Sequence, residues 1–186
     1  MKLLIMGPPG VGKGTQAKII KDKLRIAHIS TGELLRQEIA EKTEVGEVAK
    51  KYIDQGKLVP DNFLFTIVNE RLGQPDCRDG YILDGFPRTL NQANGLEKIM
   101  GSFDHSLDRA ISLYADEDAL VERLVKRGEN SGRSDDTSNI IRNRQKIYWQ
   151  QTAPLLDFYE ERGLLDNVNG LGEIKEITER ILTVIK

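Results

Sequence analysis

The chain has 186 residues, of which 39% are hydrophobic and 30% charged, and its formal net charge at pH 7 is −2. These values are typical of one water-soluble globular domain with a hydrophobic core, and they argue against binding to nucleic acid or to an anionic membrane surface. The single cysteine, Cys77, excludes an internal disulfide, and without a long apolar segment or a signal peptide we expect a cytoplasmic protein.

Short apolar segments alternate along the chain with longer segments of helical periodicity. The predicted strands are 3–6, 26–29, 81–85, 109–114 and 164–168. The predicted helices are 13–24, 31–41, 46–55, 61–72, 89–100, 116–127, 137–161 and 172–185. Because strands separated by helices favour parallel pairing with right-handed crossovers, we expect an α/β fold in which helices flank a five-stranded parallel sheet.

Two segments interrupt this alternation. Residues 31–60 place two helices in a single crossover, and residues 128–136 (GENSGRSDD) form a polar connection, rich in glycine and serine, between two helices. Neither segment is long enough or apolar enough to suggest a second core. Both are therefore predicted to be appendages of one domain.

The first predicted strand leads directly into GPPGVGKGTQ, residues 7–16. Gly7, Gly12 and Lys13 match the phosphate-binding pattern G-x-x-x-x-G-K-[ST], but Gly14 occupies the Ser/Thr position and Thr15 follows one residue later. A glycine-rich turn ahead of a helix N-terminus forms a cradle for anions, and Lys13 adds a positive charge for the β- and γ-phosphates. The segment predicts a site for a nucleoside triphosphate.

A second candidate segment is YILDGFPRT, residues 81–89. Asp84 comes at the carboxyl end of an apolar strand, where parallel sheets bind ligands. Mg²⁺ is often held by one carboxylate together with substrate phosphates, so Asp84 could replace the hydroxyl that the loop lacks. Arg88 could bind a phosphate. A simple Asp-Gly turn and a solvated arginine are the alternatives.

A third feature is a group of arginines around the polar connection, namely Arg123, Arg127, Arg133 and Arg144. Guanidinium groups suit phosphoryl transfer, because negative charge is spread over the oxygens of the transferred group. Asp135 and Asp136 either orient these arginines or cap the helix that starts near Thr137. Both alternatives stay open at this point.

The motifs, in their order and spacing along nearly the whole chain, resemble the adenylate kinase family in its short-lid form. The matching segments are GPPGVGKGTQ (7–16), STGELLR (30–36), GKLVPD (56–61), DGFPRTLNQA (84–93), KRGENSGRSDD (126–136) and TAPLLDFY (152–159). In that family the loop lysine is followed by Gly and then Thr, so Gly14-Thr15 is the family's own pattern. The short lid implies that there is no structural zinc.

The resemblance implies a role for each matching position. The implied catalytic residues are Lys13, Asp84, Arg88, Arg123, Arg133 and Arg144. The implied ATP-binding residues are Gly10, Val11, Gly12, Lys13, Gly14, Thr15, Arg123, Arg127 and Gly172. The implied AMP-binding residues are Thr31, Arg36, Lys57, Leu58, Val59, Gly85, Phe86, Pro87, Arg88, Gln92, Arg133 and Arg144. Asp84 would hold Mg²⁺ through water, and the Phe86–Pro87 bond would be cis.

The implied reaction is the reversible transfer of the γ-phosphoryl group of ATP to AMP, which yields two ADP. One domain, 1–186, would comprise a core (1–29, 60–127 and 137–186), an AMP-binding arm (30–59) and a short lid (128–136). The implied partners are ATP, AMP and ADP, with Mg²⁺ carried on ATP, and we expect a monomer.

Three other functions share parts of this pattern. A UMP/CMP kinase shares the fold and most motifs, but it would place a small residue such as Ala at Thr31 and Asn at both Thr89 and Gln92. A P-loop GTPase would need an N-K-x-D segment, which the chain lacks. A nucleotide-binding module without activity would be expected to have lost Lys13, Asp84 or the arginines.

Overall fold

A five-stranded, fully parallel sheet forms the centre of the computed structural model, which describes residues 1–131 and 135–185. The strands are β1 (Lys2–Met6), β2 (Ala27–Ser30), β3 (Tyr81–Asp84), β4 (Arg109–Tyr114) and β5 (Leu165–Asn169). Their order across the sheet is β2-β3-β1-β4-β5. The predicted fold class is confirmed.

The central strand β1 pairs with β3 on one side and with β4 on the other. Leu4 is opposite Leu83 of β3, and Ile5 is opposite Ile111 of β4. The first crossovers therefore lead to one side of β1 and the later ones to the other side. Parallel sheets bind ligands at such a switch point, beyond the carboxyl ends of the strands.

Helices connect the strands and cover both faces of the sheet. In the described part of the chain they are α1 (Lys13–Leu24), α2 (Thr31–Glu41), α3 (Glu44–Ile53), α4 (Asp61–Leu72), α5 (Leu90–Gly101), α6 (Glu117–Ser131), α7 (Ser138–Ile147), α8 (Leu155–Glu160) and α9 (Ile174–Val184). Several starts are fixed by side-chain caps: Ser30, Thr43 and Thr89 accept hydrogen bonds from backbone N–H groups in the first turns of α2, α3 and α5.

Alternate residues of the strands divide the core into two layers. Leu4 and Leu83 are buried with the helices on one face, whereas Leu3, Ile82 and Ile111 are buried with those on the other. Nearly continuous apolar strands are expected for a parallel sheet that is covered on both sides. No helix in residues 1–131 or 135–185 has the length and apolar character needed to cross a membrane.

The predicted continuous helix over 137–161 is wrong in its middle. α7 ends at Ile147, a π-helical segment follows over Tyr148–Thr152, and α8 begins after Pro154. Proline lacks the N–H that would continue the helical hydrogen bonds, and its ring clashes with the preceding turn. The chain therefore widens into a π turn ahead of Pro154. A short 3₁₀ turn, Pro75–Cys77, was also not predicted.

The structure describes the whole of the first predicted appendage, 31–60, and part of the second, 128–136. α2 and α3 pack against each other within 30–59. At Gly46 they are so close that a Cβ atom there would lie 2.1 Å from the Glu38 carbonyl oxygen. α6 continues to Ser131, four residues past its predicted end at 127. The centre of the predicted lid, 132–134, lies outside the described residues.

Candidate functional site

A cleft of about 580 Å³ opens beyond the carboxyl ends of β1, β2 and β3. Its walls come from the loop after β1, the end of β3, the α2–α3 segment and the arginines of α6 and α7. The predicted site residues that line it are Gly10, Val11, Gly12, Lys13, Gly14, Thr15, Arg36, Lys57, Leu58, Val59, Asp84, Gly85, Arg88, Arg123, Arg127, Arg144 and Gly172.

The loop after β1 depends on glycine for its shape. Gly7, Gly10 and Gly12 all have positive φ, and a Cβ atom on Gly7 would lie 2.3 Å from the carbonyl oxygen of Leu113. Any other residue at position 7 would therefore be forced against β4. The loop ends where α1 begins at Lys13, so its backbone surrounds a helix N-terminus, which favours anions.

Lys13 curls back over this loop. Its Nζ donates hydrogen bonds to the carbonyl oxygens of Gly7 at 2.7 Å and Pro8 at 3.0 Å. Burial lowers the pKa of Lys13 to about 7, an effect that Asp84 opposes and the cations Arg88 and Arg144 strengthen. The site thus has a deficit of negative charge, which phosphate groups can supply.

Asp84 lies beside the same loop. A Cβ atom on Gly14 would be 3.4 Å from Asp84 Oδ2, and His28 Nε2 is 3.8 Å from that oxygen. Burial opposes the charged carboxylate, but His28, Lys13 and Arg88 outweigh this effect, so the pKa of Asp84 lies below its ordinary value. Asp84 is therefore an anion at neutral pH, as a ligand for a cation must be.

These residues fit Mg²⁺ bound together with phosphates. A hard cation prefers oxygen ligands and commonly takes one carboxylate plus phosphates and water. Asp84 supplies that carboxylate, and no group of three or more His, Cys, Asp or Glu side chains suited to a metal occurs in the described ranges. A cation here would thus depend on the nucleotide for most of its ligands.

Arg88 enters the cleft from the turn after β3. Its Nε donates to the carbonyl oxygen of Gly85 at 2.7 Å, and its own carbonyl accepts a hydrogen bond from Thr152 at 2.9 Å. The turn contains the cis Phe86–Pro87 bond that the resemblance implied. Backbone contacts on both sides hold the Arg88 guanidinium at the mouth of the phosphate loop.

Two further arginines are held by the acidic pair that follows the described end of α6. Asp136 accepts from Arg127 Nη2 at 2.6 Å and from Arg144 Nη1 at 2.9 Å, and Asp135 lies 2.8 Å from Arg144. Thr137 is the N-cap residue of α7, and its side chain makes no capping hydrogen bond. Of the two alternatives for these aspartates, the structure supports orientation of the arginines.

The remaining predicted residues stand behind the cleft wall or outside the described ranges. Thr31, Phe86, Pro87 and Gln92 are buried and do not line the cleft. The amide of Gln92 donates to Asp61 at 2.7 Å and accepts from the Arg88 N–H at 2.7 Å. Arg133 lies outside the described residues.

Two residues at this site were not predicted from the sequence. His28 faces Asp84 from the neighbouring strand. Asp61, which begins α4, holds the amide of Gln92. Both contacts join residues that are far apart in the chain, and only the β2–β3 register, in which Ser30 lies opposite Asp84, could have suggested His28.

Comparisons with known proteins agree on one family. The adenylate kinase family model matches residues 5–164. The chain is 48% identical over 186 residues to the adenylate kinase of Stenotrophomonas maltophilia, with all of both chains covered. It is 49% identical over 183 residues to that of Bifidobacterium longum, with 98% of each chain covered. It is 45% identical to that of Nocardia farcinica, with 100% of this chain and 99% of the relative covered.

Proposed function

The chain belongs to the adenylate kinase family, and from this premise we propose how its cleft binds ATP and AMP and transfers the γ-phosphoryl group between them. The protein is a phosphotransferase that interconverts ATP and AMP with two ADP. The observation that carries the proposal is that Lys13, Asp84, Arg88 and Arg144 all line one cleft beside the glycine-rich loop.

The ATP half of the site is assigned to the loop and to the nearby helix ends. Backbone N–H groups from Gly10 to Thr15 hold the phosphates, and Lys13 follows the charge that moves onto the transferred group. Arg123, whose Nη1 donates to the Gly170 carbonyl at 3.1 Å, covers the adenine. Gly172, on the same wall of the cleft, offers its backbone to that base.

Mg²⁺ is assigned to Asp84 through water, carried into the cleft on ATP. When bound, the ion would supply positive charge that offsets the charge developing on the phosphates, and Asp84 would hold it. Gly14 lies next to this carboxylate, since a Cβ atom on Gly14 would be 3.4 Å from Asp84 Oδ2. The carboxylate is ionised at neutral pH, since its pKa lies below the ordinary range.

The transfer zone is assigned to the arginines Arg88, Arg133 and Arg144. A phosphate oxygen of AMP forms a bond to the γ-phosphorus while the bond from that phosphorus to the β,γ-bridging oxygen breaks. The arginines and Lys13 stabilise the charge on the transferred oxygens, so the chain contributes position and electrostatics rather than a covalent intermediate.

The AMP half is assigned to the arm and the turn after β3. Arg36, Lys57, Leu58 and Val59 line the cleft on that side. Thr31, Gln92 and the turn from Gly85 to Pro87 complete the pocket. Because Thr31 and Gln92 are buried before AMP enters, their contact with the base requires the arm to move.

Closure of the arm (30–59) and the lid (128–136) over both nucleotides completes the proposed mechanism. Closure excludes water, which would otherwise accept the phosphoryl group and hydrolyse ATP. We propose a monomeric, cytoplasmic enzyme whose partners are ATP, AMP and ADP. A UMP/CMP kinase, which shares the fold and most motifs, is the second candidate.

The direct test replaces Lys13 with Met. Turnover should fall by at least ~10²-fold, as when one transition-state donor is removed, while the unfolding temperature changes little. Lys21→Met is the matched control, because Lys21 lies on α1 but is exposed and does not line the cleft. A Lys13→Met protein that keeps more than half of the wild-type rate would contradict the assignment.

A further inference from the structure

Gln145 connects α7 to the phosphate-binding loop across 136 residues of sequence. Its side chain is almost fully buried, at 3% exposure, and its Nε2 donates to the carbonyl oxygen of Pro9 at 3.1 Å. The other end of the amide, Oε1, is buried without a hydrogen-bond partner among the described residues. Gln145 belongs to none of the sequence motifs described above.

The orientation of this amide follows from the chemistry of its partner. A carbonyl oxygen can only accept, so the Pro9 carbonyl must face the amide nitrogen of Gln145 and not its oxygen. Leaving a buried acceptor unpaired costs free energy of folding. The hydrogen bond to Pro9 therefore leaves Oε1 buried without a partner. An apolar residue of similar size at position 145 would avoid this cost in folding free energy.

The peptide unit between Pro9 and Gly10 has a special position in the loop. The two preceding peptide units end in Pro8 and Pro9, which have no N–H, and their carbonyl oxygens already accept from Lys13. Gly10 thus provides the first N–H donor of the loop after Gly7. Gly10 also has a φ of +90°, in a region where glycine moves between conformations at little cost.

In a trans peptide the C=O and N–H bonds point in opposite directions. A hydrogen bond that fixes the Pro9 carbonyl toward α7 therefore fixes the Gly10 N–H on the opposite side. Without that contact, the Pro9–Gly10 peptide could rotate at the glycine and turn its N–H away from a bound phosphate.

We propose that Gln145 is a positioning residue for ATP: it holds the Pro9–Gly10 peptide so that the Gly10 N–H is oriented before the phosphates arrive. The inference rests on the proposed assignment of the loop to the ATP phosphates. Gln145 directly follows Arg144, which lines the cleft, so one turn of α7 carries both a cation for the transfer zone and the support of the loop.

The test compares Gln145→Leu and Gln145→Met with the wild-type protein. Both replacements retain the volume of the side chain and remove its hydrogen bonds. Gln150→Leu is the matched control, because Gln150 is exposed nearby in the π-helical segment. For each protein we measure the dissociation constants of ATP and AMP by calorimetric titration. We also measure the unfolding temperature and the ¹⁵N–¹H resonance of Gly10.

We expect the ATP dissociation constant to rise about three- to tenfold, the range that corresponds to one net hydrogen bond. The AMP dissociation constant should stay at its wild-type value, the unfolding temperature should be equal or higher, and the Gly10 resonance should shift. An unchanged ATP affinity would overturn the inference. A lower unfolding temperature together with an equal loss of affinity for ATP and AMP would also overturn the inference, because those effects indicate a purely structural role.

The result that would contradict the proposed function differs from the result that would contradict the role of Gln145. If Lys13→Met bound ATP and turned over as well as the wild-type protein, the loop would not be the ATP site, whatever Gln145 does. If Lys13→Met is impaired and both Gln145 variants bind ATP normally, the loop assignment stands and the positioning role of Gln145 is wrong.

Discussion

At the scale of single residues, the departure of the loop from the strict phosphate-binding pattern has a structural counterpart. The strict pattern places a hydroxyl for Mg²⁺ directly after the lysine. Here that position is occupied by Gly14. A Cβ atom on Gly14 would be 3.4 Å from Asp84 Oδ2. The carboxylate from β3 thus stands next to the place of the missing hydroxyl.

Local motifs predicted Lys13, Asp84 and Arg88 at the cleft, because each belongs to a short segment whose geometry the chain determines by itself. His28, Asp61 and Gln145 were not predicted, since their partners lie on other elements. The direct contact of Gln92 with the AMP base stays a prediction, and the hydrogen bonds of its amide to the protein were not foreseen.

The depressed pKa of Lys13 leads to a prediction about protons. With a pKa of about 7, Lys13 in the free protein is mostly neutral at pH 8, and the ATP phosphates should raise that pKa again. ATP binding at pH 8 should therefore take up a proton. Calorimetry in buffers of different ionisation enthalpy measures this uptake, which should disappear in Lys13→Met and persist in Lys21→Met; equal uptake in both variants would contradict the role of Lys13.

The lowered pKa of Lys13 also makes the free energy of unfolding depend on pH in a defined direction. The folded-state pKa lies below the ordinary value of 10.5, so between about pH 7 and pH 10.5 the unfolded chain holds a proton that the folded chain has lost. In this window Lys13 makes the free energy of unfolding increase with pH. Comparison of pH profiles for wild type and Lys13→Met isolates this contribution.

At the scale of elements, the sequence predicted β4, α1, α2 and α4 to the residue. It failed between α7 and α8. Helical periodicity runs through residues 148–152, and periodicity alone does not distinguish a π-helical turn from an α-helical one. The widening of the helix ahead of Pro154 was not predicted.

α7 contacts three parts of the site through three successive residues. Asn143 donates to the Gln55 carbonyl in the arm at 2.7 Å, Arg144 pairs with the aspartates of the lid, and Gln145 supports the loop. A displacement of α7 therefore affects the arm, the lid and the phosphate loop together. This arrangement favours closure as a concerted movement.

Closure predicts a change in hydrogen exchange. Amide exchange in 30–59 and in 128–136 should slow when both nucleotides, or one molecule that mimics both, are bound, because closure protects backbone hydrogen bonds from transient opening. The strands of the sheet serve as the internal reference. Exchange in the two segments that stays unchanged at saturation would argue against a moving arm and lid.

At the scale of the whole molecule, the parallel sheet brings the ends of β1, β2 and β3 to one edge, and the helical segments add the remaining walls of the cleft. The fold class followed from the alternation of strands and helices, whereas the strand order β2-β3-β1-β4-β5 was not predicted from that alternation. Strand order depends on which crossovers pack on which face, and periodicity does not report it.

The specificity for the acceptor is a property of the complete site. In the proposed AMP pocket, adenine would offer an amino group and a ring nitrogen to Gln92. The Thr31 hydroxyl lies close to the turn at Gly85. A base with a different pattern of donors and acceptors would leave buried polar groups unpaired, and such discrimination can reach about 10⁴. The acceptor base should therefore be selected strongly.

The most direct test of the account is a panel of nucleoside monophosphates with ATP as the donor. Initial rates for AMP, CMP, UMP and GMP are compared at equal concentrations, with Lys13→Met as the inactive control. We predict that kcat/KM for AMP exceeds that for each of the others by at least ~10²-fold. Phosphorylation of CMP or UMP as efficient as that of AMP would contradict the account of the acceptor site.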